Sequence, residues 1–521
     1  MTGTLYRNGM VRAAGVPAAT AMLVDGAVVG WVGRDEAAPD ATDVVDLQGA
    51  LVTPAFVDAH VHATSTGLAL VGLDLSATDS LAGALALLET HVRGHGGAAV
   101  LGHGWDETRW PDNRPPTRHE LDRASYGGVV YLSRVDVHSA VVSSALLAAV
   151  PAARGLAGFD DSGWLRSDAH HAVRRAARET VSPGQRRDAQ RATRRRAAEM
   201  GIGCLHELAG PEVSGTDDLL ELMALARDEP GPEIIGYWGE LGGIATATKL
   251  GAAGAAGDLF ADGALGSRTA SLCRPYTDDA GNSGAGYLSV AQVSDHVVAS
   301  TQAGLQAGFH AIGDAALRTV LAGFSAAGAR LGTRALAAAR HRIEHAEMLD
   351  AESIATMAQL GVVASVQPAF DAAWGGEDGM YAQRLGADRA RGMNPLAALA
   401  AAGVRLAFGS DAPVTPLDPW AGVRAAVHHR TPASRLDAEA AFTAYTAGGW
   451  YAAGRDGEGV LEAGAPATFA VWETGSTAAG RSDAPGTDAG ALPDLTLGRP
   501  LPNCRRTVVR GATIYEREGD R

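Results

Sequence analysis

The stretch Leu51-Val-Thr-Pro-Ala-Phe-Val-Asp-Ala-His-Val-His62 carries an apolar run into two histidines one residue apart. A run this apolar must be buried, and its Val and Phe content favours a strand. Residues i and i+2 of a strand point to the same face, so His60 and His62 aim two imidazoles at one point. Imidazole nitrogen is an ordinary ligand of Zn²⁺ and similar ions. The chain is therefore read as a buried strand that ends at a metal.

Seven further short apolar runs follow: Ile202–His206, Glu233–Trp238, Asp258–Asp262, Gly308–His310, His341–His345, Val362–Val366 and Arg405–Gly409. Helical patterns separate several of them, at Asp217–Arg227, Val290–Ala303, Ala315–Ala327, Ser353–Leu360 and Pro395–Ala402. With Phe56–His60 the strands number eight, and the alternation predicts an α/β fold, a distorted (β/α)₈ barrel over 54–445. An excess at about 65–200 is expected as an insertion near the barrel mouth, where it can exclude solvent and shape specificity. It includes strand-like Ala98–Leu101 and Val129–Leu132 and an Arg/Ala-rich helical stretch near 185–200. The alternative gives Ala98–Leu101 and Val129–Leu132 barrel positions and moves two later strands outside. Short strands with Asn8-Gly9 and Asp25-Gly26 hairpin signals fill 1–53. The same texture returns over 455–521, in Ala467–Trp472 and Arg506–Tyr515, so one small composite β domain is expected from both termini. The Gly-, Ser-, Ala- and Asp-rich stretch 474–494 reads as a mobile surface loop.

Composition narrows the function classes. The formal net charge of −15 and the lack of a basic run argue against nucleic acid as partner. Cys204, Cys273 and Cys504 are too scattered for a CxxC site or a disulfide framework. No apolar run approaches a membrane span and no signal-peptide core opens the chain, so a cytoplasmic protein acting on a small molecule is expected. An exposed β-domain edge is compatible with a homodimer.

Potential ligands recur at the ends of the proposed strands: His310 in Gly308-Phe-His310, His345 in Arg342-Ile-Glu-His345, and Asp411 in Gly409-Ser-Asp411. Barrel active sites are built at these carboxyl ends. Three or four nitrogen and oxygen ligands with an open position hold a catalytic metal and its water, and Asp411 is the chosen proton carrier. His310 and His345 complete the catalytic set. Substrate contacts are expected from Trp105 and Asp106, beside His103 and Glu107, from Arg134 and His138, which share a period-two strand with Asp136, and from Arg268, Gln367 and Trp374. His206 and Glu207 are candidates for supporting positions, and Asp371, with Gln367, for shaping the mouth near the seventh strand. The pair His428-His429 is read as incidental, because adjacent helical residues do not share a face.

These pieces carry a resemblance. Pro54-Ala-Phe-Val-Asp-Ala-His-Val-His62, Gly102-His-Gly-Trp-Asp-Glu107, Phe260-Ala-Asp-Gly-Ala-Leu-Gly-Ser-Arg-Thr-Ala270, His310-Ala-Ile-Gly-Asp314, Arg342-Ile-Glu-His345, Gln367-Pro368 and Gly409-Ser-Asp-Ala-Pro-Val414 resemble the amidohydrolase superfamily. The likeness is closest to the YtcJ-like branch of the amidohydrolase-3 family, which includes N-substituted formamide deformylases. The resemblance implies a barrel with a composite β domain and hydrolysis of small-molecule amide, formamide or related C–N bonds. Deamination or cyclic-amide hydrolysis is the alternative, and a degenerate metal-binding or structural protein a second one. It further implies His60, His62, His310, His345 and Asp411 at or near a divalent metal, Zn²⁺ first and Mn²⁺ second. Many relatives carry a metal-bridging carboxylated lysine after the fourth strand. Here that position corresponds to Asp258, and the sole lysine, Lys249, lies nine residues earlier. Two readings follow. One ion is held by His60, His62, His310 and Asp411, which is favoured, or two ions are held with Asp258 as a ligand.

Overall fold

The computed structural model describes residues 3–94, 99–473 and 491–518. Eight parallel strands lie side by side in chain order: β1 (Phe56–Val61), β2 (Ile202–Ala209), β3 (Glu233–Trp238), β4 (Gly254–Ala255), β5 (Gln306–Ala311), β6 (Arg342–His345), β7 (Val363–Val366) and β8 (Leu406–Phe408). The sheet returns on itself through a parallel bridge between Val61 and Ala412. The Asp411 N–H also donates to the His60 carbonyl at 2.8 Å. The outcome is a nearly closed barrel. Every residue of β1, β2 and β5–β8 is buried. Strands covered by helices outside and filled with side chains inside have no solvent face, which is why they read as continuous apolar runs rather than alternations.

The five expected crossover helices form at Thr216–Asp228, Val290–Gln302, Asp314–Leu331, Ala351–Leu360 and Leu396–Ala401. The fourth strand departs from expectation. It occupies Gly254–Ala255, not Asp258–Asp262, and Gly257 at φ 102° breaks the extended run between them. Residues beyond that glycine still follow β5: Phe260 bridges His310, the His310 N–H donates to the Leu259 carbonyl at 3.0 Å, and the Ala261 N–H donates to the His310 carbonyl at 2.8 Å.

Between β1 and β2 the chain first forms a helix at Ala63–Val71 and returns in a helix at Pro183–Glu199. Their contact is close enough that a Cβ on Gly67 would lie 1.8 Å from the Ala189 carbonyl oxygen, so this crossing demands glycine. The Arg/Ala-rich stretch expected in the insertion is thus the helix that leads back into the barrel. The intervening segment builds its own five-stranded sheet, in the order Trp164–Arg166, Ser139–Val142, Val130–Arg134, Val100–Trp105, Leu73–Asp74. The alternative that placed Ala98–Leu101 and Val129–Leu132 in the barrel is overturned, because the strands formed there pair with each other in this separate sheet. Ala98 itself lies outside the described residues.

Both termini join in the small β sheets. Leu51–Pro54 pairs antiparallel with Phe469–Glu473, which continues into Asn503–Val509 and Ala512–Glu516. A second sheet holds Thr4–Arg7, Ala21–Asp25, Val28–Gly33 and Asp43–Asp46. Tyr6, Met22 and Val29 share one core with Phe469, Val471 and Val508. Asp25-Gly26 makes its hairpin. Asn8-Gly9 does not, because the strand after it, Met10–Val11, crosses to the other sheet and pairs with Leu51–Pro54. Of the expected loop 474–494, residues 474–490 lie outside the described residues. No helix among the described residues is long and apolar enough to cross a membrane.

Candidate metal centre

Strand ends place the ligand candidates. His60 lies near the end of β1 and His62 just past it, Asp258 follows β4 by three residues, His310 lies in β5, His345 closes β6, and Asp411 follows β8 by three residues. All six are buried. His345 (φ 69°), Ala346 (φ 49°) and Asp411 (φ 54°) adopt left-handed conformations, which non-glycine residues hold only where surrounding structure fixes them. At β6 and β8 the chain turns sharply so that these side chains face the barrel axis.

Six side chains converge. Asp411 Oδ1 lies 3.2 Å from His60 Nε2 and 3.1 Å from His62 Nε2. Asp258 spans the group, with Oδ2 3.2 Å from His62 Nε2 and Oδ1 3.6 Å from His60 Nε2, 3.5 Å from His310 Nδ1 and 4.0 Å from His345 Nε2. Three triads of ligand atoms are close enough for one ion: His60, His62 and Asp258; His60, His345 and Asp411; Asp258, His310 and His345. His60 Nε2, Asp258 Oδ1, His310 Nδ1 and Asp411 Oδ1 are buried without a hydrogen-bond partner. Ligands of a tetrahedral Zn²⁺ with bonds of about 2.0–2.1 Å sit roughly 3.3–3.4 Å from one another. The four contacts among His60, His62, Asp258 and Asp411 bracket that value, so the residues fit the ion. Asp258, placed outside the ligands in the one-ion reading, stands among them.

Each imidazole is held from behind. His60 Nδ1 meets Glu344 Oε2 at 2.9 Å, His62 Nδ1 the Leu208 carbonyl at 3.1 Å, His310 Nε2 the Gly263 carbonyl at 3.4 Å, and His345 Nδ1 Gln367 Oε1 at 2.8 Å. An acceptor at one ring nitrogen fixes the proton there and leaves the other lone pair for a cation.

The model of the amidohydrolase family matches residues 43–515. The chain belongs to that family. YtcJ of Bacillus subtilis (strain 168) is 29% identical, over 74% of this chain and 75% of that one. The N-substituted formamide deformylase of Arthrobacter pascens is 25% identical over 96% of both. Among solved structures, an uncharacterized metal-dependent hydrolase from Pyrococcus furiosus superposes with a TM-score of 0.70 at 25% identity, covering 90% of this chain and 98% of that one.

The electrostatics of this amidohydrolase site are those of a cation seat. Burial works against charge on every member, yet the ion pairs prevail at most of them. Asp258 and Asp411 are held well below the usual carboxylate range by His60 and its neighbours. The close approach of the same two carboxylates lifts His62 to about 9 against its burial, and His60 and His310 rise as well. Burial and the charge of His310 push His345 down to about 3, so it is neutral.

A cavity of about 30 Å³ opens beside these residues, lined among others by His138, His310, His345, Glu347, Trp374 and Asp411. Of the expected substrate contacts, only His138 and Trp374 line it, and the His138 ring lies 5.1 Å from that of His310. Trp105 is turned into the insertion core, where its Nε1–H donates to the Leu132 carbonyl at 2.8 Å. Arg134 is fully engaged by Asp106 at 3.0 Å, Glu107 at 2.9 Å and Asp136 at 2.9 Å, so Arg134 and Asp106 form a buried structural cluster. Arg268 pairs with Asp278 at 2.8 Å. Gln367 faces His345 rather than the cavity. His103 lies 3.6 Å from Asp74. Asp371 accepts from the Arg430 N–H at 2.6 Å and lies 3.5 Å from His429. His206 meets Arg342 at 3.1 Å, and Glu207 accepts from the Ala63 N–H at 2.7 Å. Sequence reasoning missed Glu344 and Glu347. Glu344 had a signal, because Arg342 and Glu344 show the same i, i+2 spacing as His60 and His62. Glu347 lies beyond a strand end in a turn and had none.

Proposed function

We propose that this amidohydrolase is a metal-dependent hydrolase of a small-molecule amide, formamide or related C–N bond. The convergence of four oriented imidazoles and two carboxylates on unpartnered buried ligand atoms at the strand ends carries the reading. Likeness to the Arthrobacter pascens deformylase supports C–N chemistry. The cavity volume of about 30 Å³ supports a small group next to the reacting carbonyl, since one water needs about 10–15 Å³.

His60, His62, Asp258 and Asp411 would hold the first ion, Zn²⁺ or alternatively Mn²⁺, and Asp258, His310 and His345 a second, more loosely. Such an ion, when bound, polarises the carbonyl and acidifies water. Asp411 accepts the proton of the attacking water and delivers it to the leaving nitrogen. Water adds to the carbonyl carbon, the C–N bond breaks, and an amine and a carboxylic acid leave. His345 is neutral with its proton on the Gln367 side, so its Nε2 lone pair is turned to the site, where it would hold the second ion or, with one ion bound, orient the water. His310, turned the other way round, presents Nδ1.

The test compares metal-depleted and Zn²⁺- or Mn²⁺-reloaded protein on a panel of small amides and formamides, with products identified by mass spectrometry. Turnover to amine plus acid that follows the metal is expected. Ammonia release or ring opening would redirect the assignment to deamination or cyclic-amide hydrolysis. Full metal load without turnover would overturn the enzymatic reading.

A further inference from the structure

The cavity beside the ligands holds an acceptor that the proposed chemistry has not used. Glu347 is 3% exposed and lines the cavity together with Asp411. Two successive left-handed residues, His345 and Ala346, fold the chain back after β6. The Met348 N–H then donates to the Ile312 carbonyl at 3.2 Å, and the Asn394 N–H to the Glu347 carbonyl at 2.9 Å. The backbone of Glu347 is thus anchored on both sides; Tyr381 is the side-chain neighbour of its carboxylate, yet neither Glu347 Oε2 nor the Tyr381 hydroxyl has a well-formed hydrogen bond.

The other carboxylates of the cavity are occupied. Asp136 Oδ2 accepts from Arg134 at 2.9 Å and from Ser267 at 2.7 Å, and its Oδ1 accepts from the His138 N–H at 3.1 Å. Asp411 belongs to the ligand group. The remaining lining is mainly apolar, including Leu265, Ile312, Phe370, Trp374, Met380 and Val414, with the Tyr381 hydroxyl as a polar group beside Glu347. No arginine or lysine lines the cavity among the described residues. A buried acceptor in an apolar wall without a cation is matched by a neutral molecule carrying an N–H, and is mismatched by a carboxylate.

We propose that Glu347 accepts a hydrogen bond from the substrate N–H, which makes the enzyme selective for amides that keep an N–H over tertiary amides and esters. The proposal rests on the amide-hydrolase reading above and adds the substrate subclass and the residue that selects it. Glu347 then holds the nitrogen in the cavity that Asp411 also lines, so the leaving amine is placed to receive the proton that Asp411 carries. When the substrate lacks an N–H, Oε2 is left buried and unpaired, and that penalty is the source of discrimination.

The test uses metal-reloaded full-length protein with N-methylformamide, N,N-dimethylformamide and methyl formate as probes. Wild type is expected to favour N-methylformamide in kcat/KM by about 10- to 100-fold. Glu347→Leu should lose that preference, chiefly through the N–H substrate, with metal content unchanged. Glu347→Gln, which keeps an acceptor and controls for folding, should retain most of it. Equal losses on all three probes in Glu347→Leu, or no preference in wild type, would overturn the assignment. If no probe turns over, the amide-hydrolase reading fails, and the same comparison is made as binding of the two formamides by NMR. A preference for N-methylformamide that only Glu347→Leu loses would then support the Glu347 contact, and equal binding by wild type and variant would overturn it.

Discussion

Glu344→Gln tests whether the histidine ligands are held by the barrel interior. The substitution keeps the side-chain shape and an acceptor for His60 Nδ1–H while deleting one charge. Arg342 is fully buried, and its Nη2 donates to Glu344 at 2.9 Å, to the Ala59 carbonyl at 2.6 Å and to Ser365 at 2.9 Å. Removing one partner of a buried ion pair costs about 3–5 kcal/mol, because the other charge is stranded. The proton equilibrium of Glu344 gives a similar size. Burial alone would raise it, but Arg342 and His60 hold it at about 2 against an ordinary 4.5, a difference worth about 3 kcal/mol. The sign follows from a depressed carboxylate: this stabilisation is present above pH 4.5 and is lost as pH falls toward 2. Urea unfolding followed by tryptophan fluorescence should show the variant less stable by about 3 kcal/mol near neutral pH, with the gap closing in acid. Zn²⁺ affinity, measured by chelator competition, should fall by about 10- to 100-fold as the His60 imidazole loses the negative charge behind it. A variant as stable as wild type at neutral pH, binding Zn²⁺ equally well, would refute the reasoning.

Arg134→Met should destabilise the insertion by about 3–5 kcal/mol, since Asp106, Glu107 and Asp136 are left buried together; limited proteolysis and unfolding curves read this. Zn²⁺ affinity should rise with pH up to about 9, because His62 carries a proton below that value and must release it to bind. Calorimetry in buffers of different ionisation heat counts the protons released, and pH-independent binding would contradict the site's electrostatics. Asp411→Asn should lower kcat about 100- to 10,000-fold through loss of the proton carrier, beyond any loss of metal seen in the same samples.

What the sequence revealed follows from where its signals are local. His60 and His62 lie on one strand, so a two-residue period suffices to place them. His310, His345 and Asp411 close apolar runs, and a parallel barrel brings all such ends to one mouth. The fourth strand was displaced because Gly254–Ala255 has neither length nor β-branched residues, while the better-looking Asp258–Asp262 lies beyond the kink at Gly257. Asp258 therefore stands past a strand end like Asp411, and its contact with four histidines is a tertiary fact. Trp105 and Arg134 misled for a related reason. A dense polar and aromatic cluster near a mouth reads as a pocket, but mutual pairing turns these groups away from it. Gln367 was noticed as polar, yet only the 2.8 Å contact with His345 shows that it orients that imidazole.

The central claim is that Asp258 joins the histidines and Asp411 in holding the metal. Its most direct test is metal content per chain, by elemental analysis of wild type and Asp258→Asn purified without chelator or added metal. The account predicts at least one tightly held divalent ion per wild-type chain and a content far below one in the variant. Equal metal in both proteins, or none in wild type even after Zn²⁺ or Mn²⁺ is supplied, would contradict it.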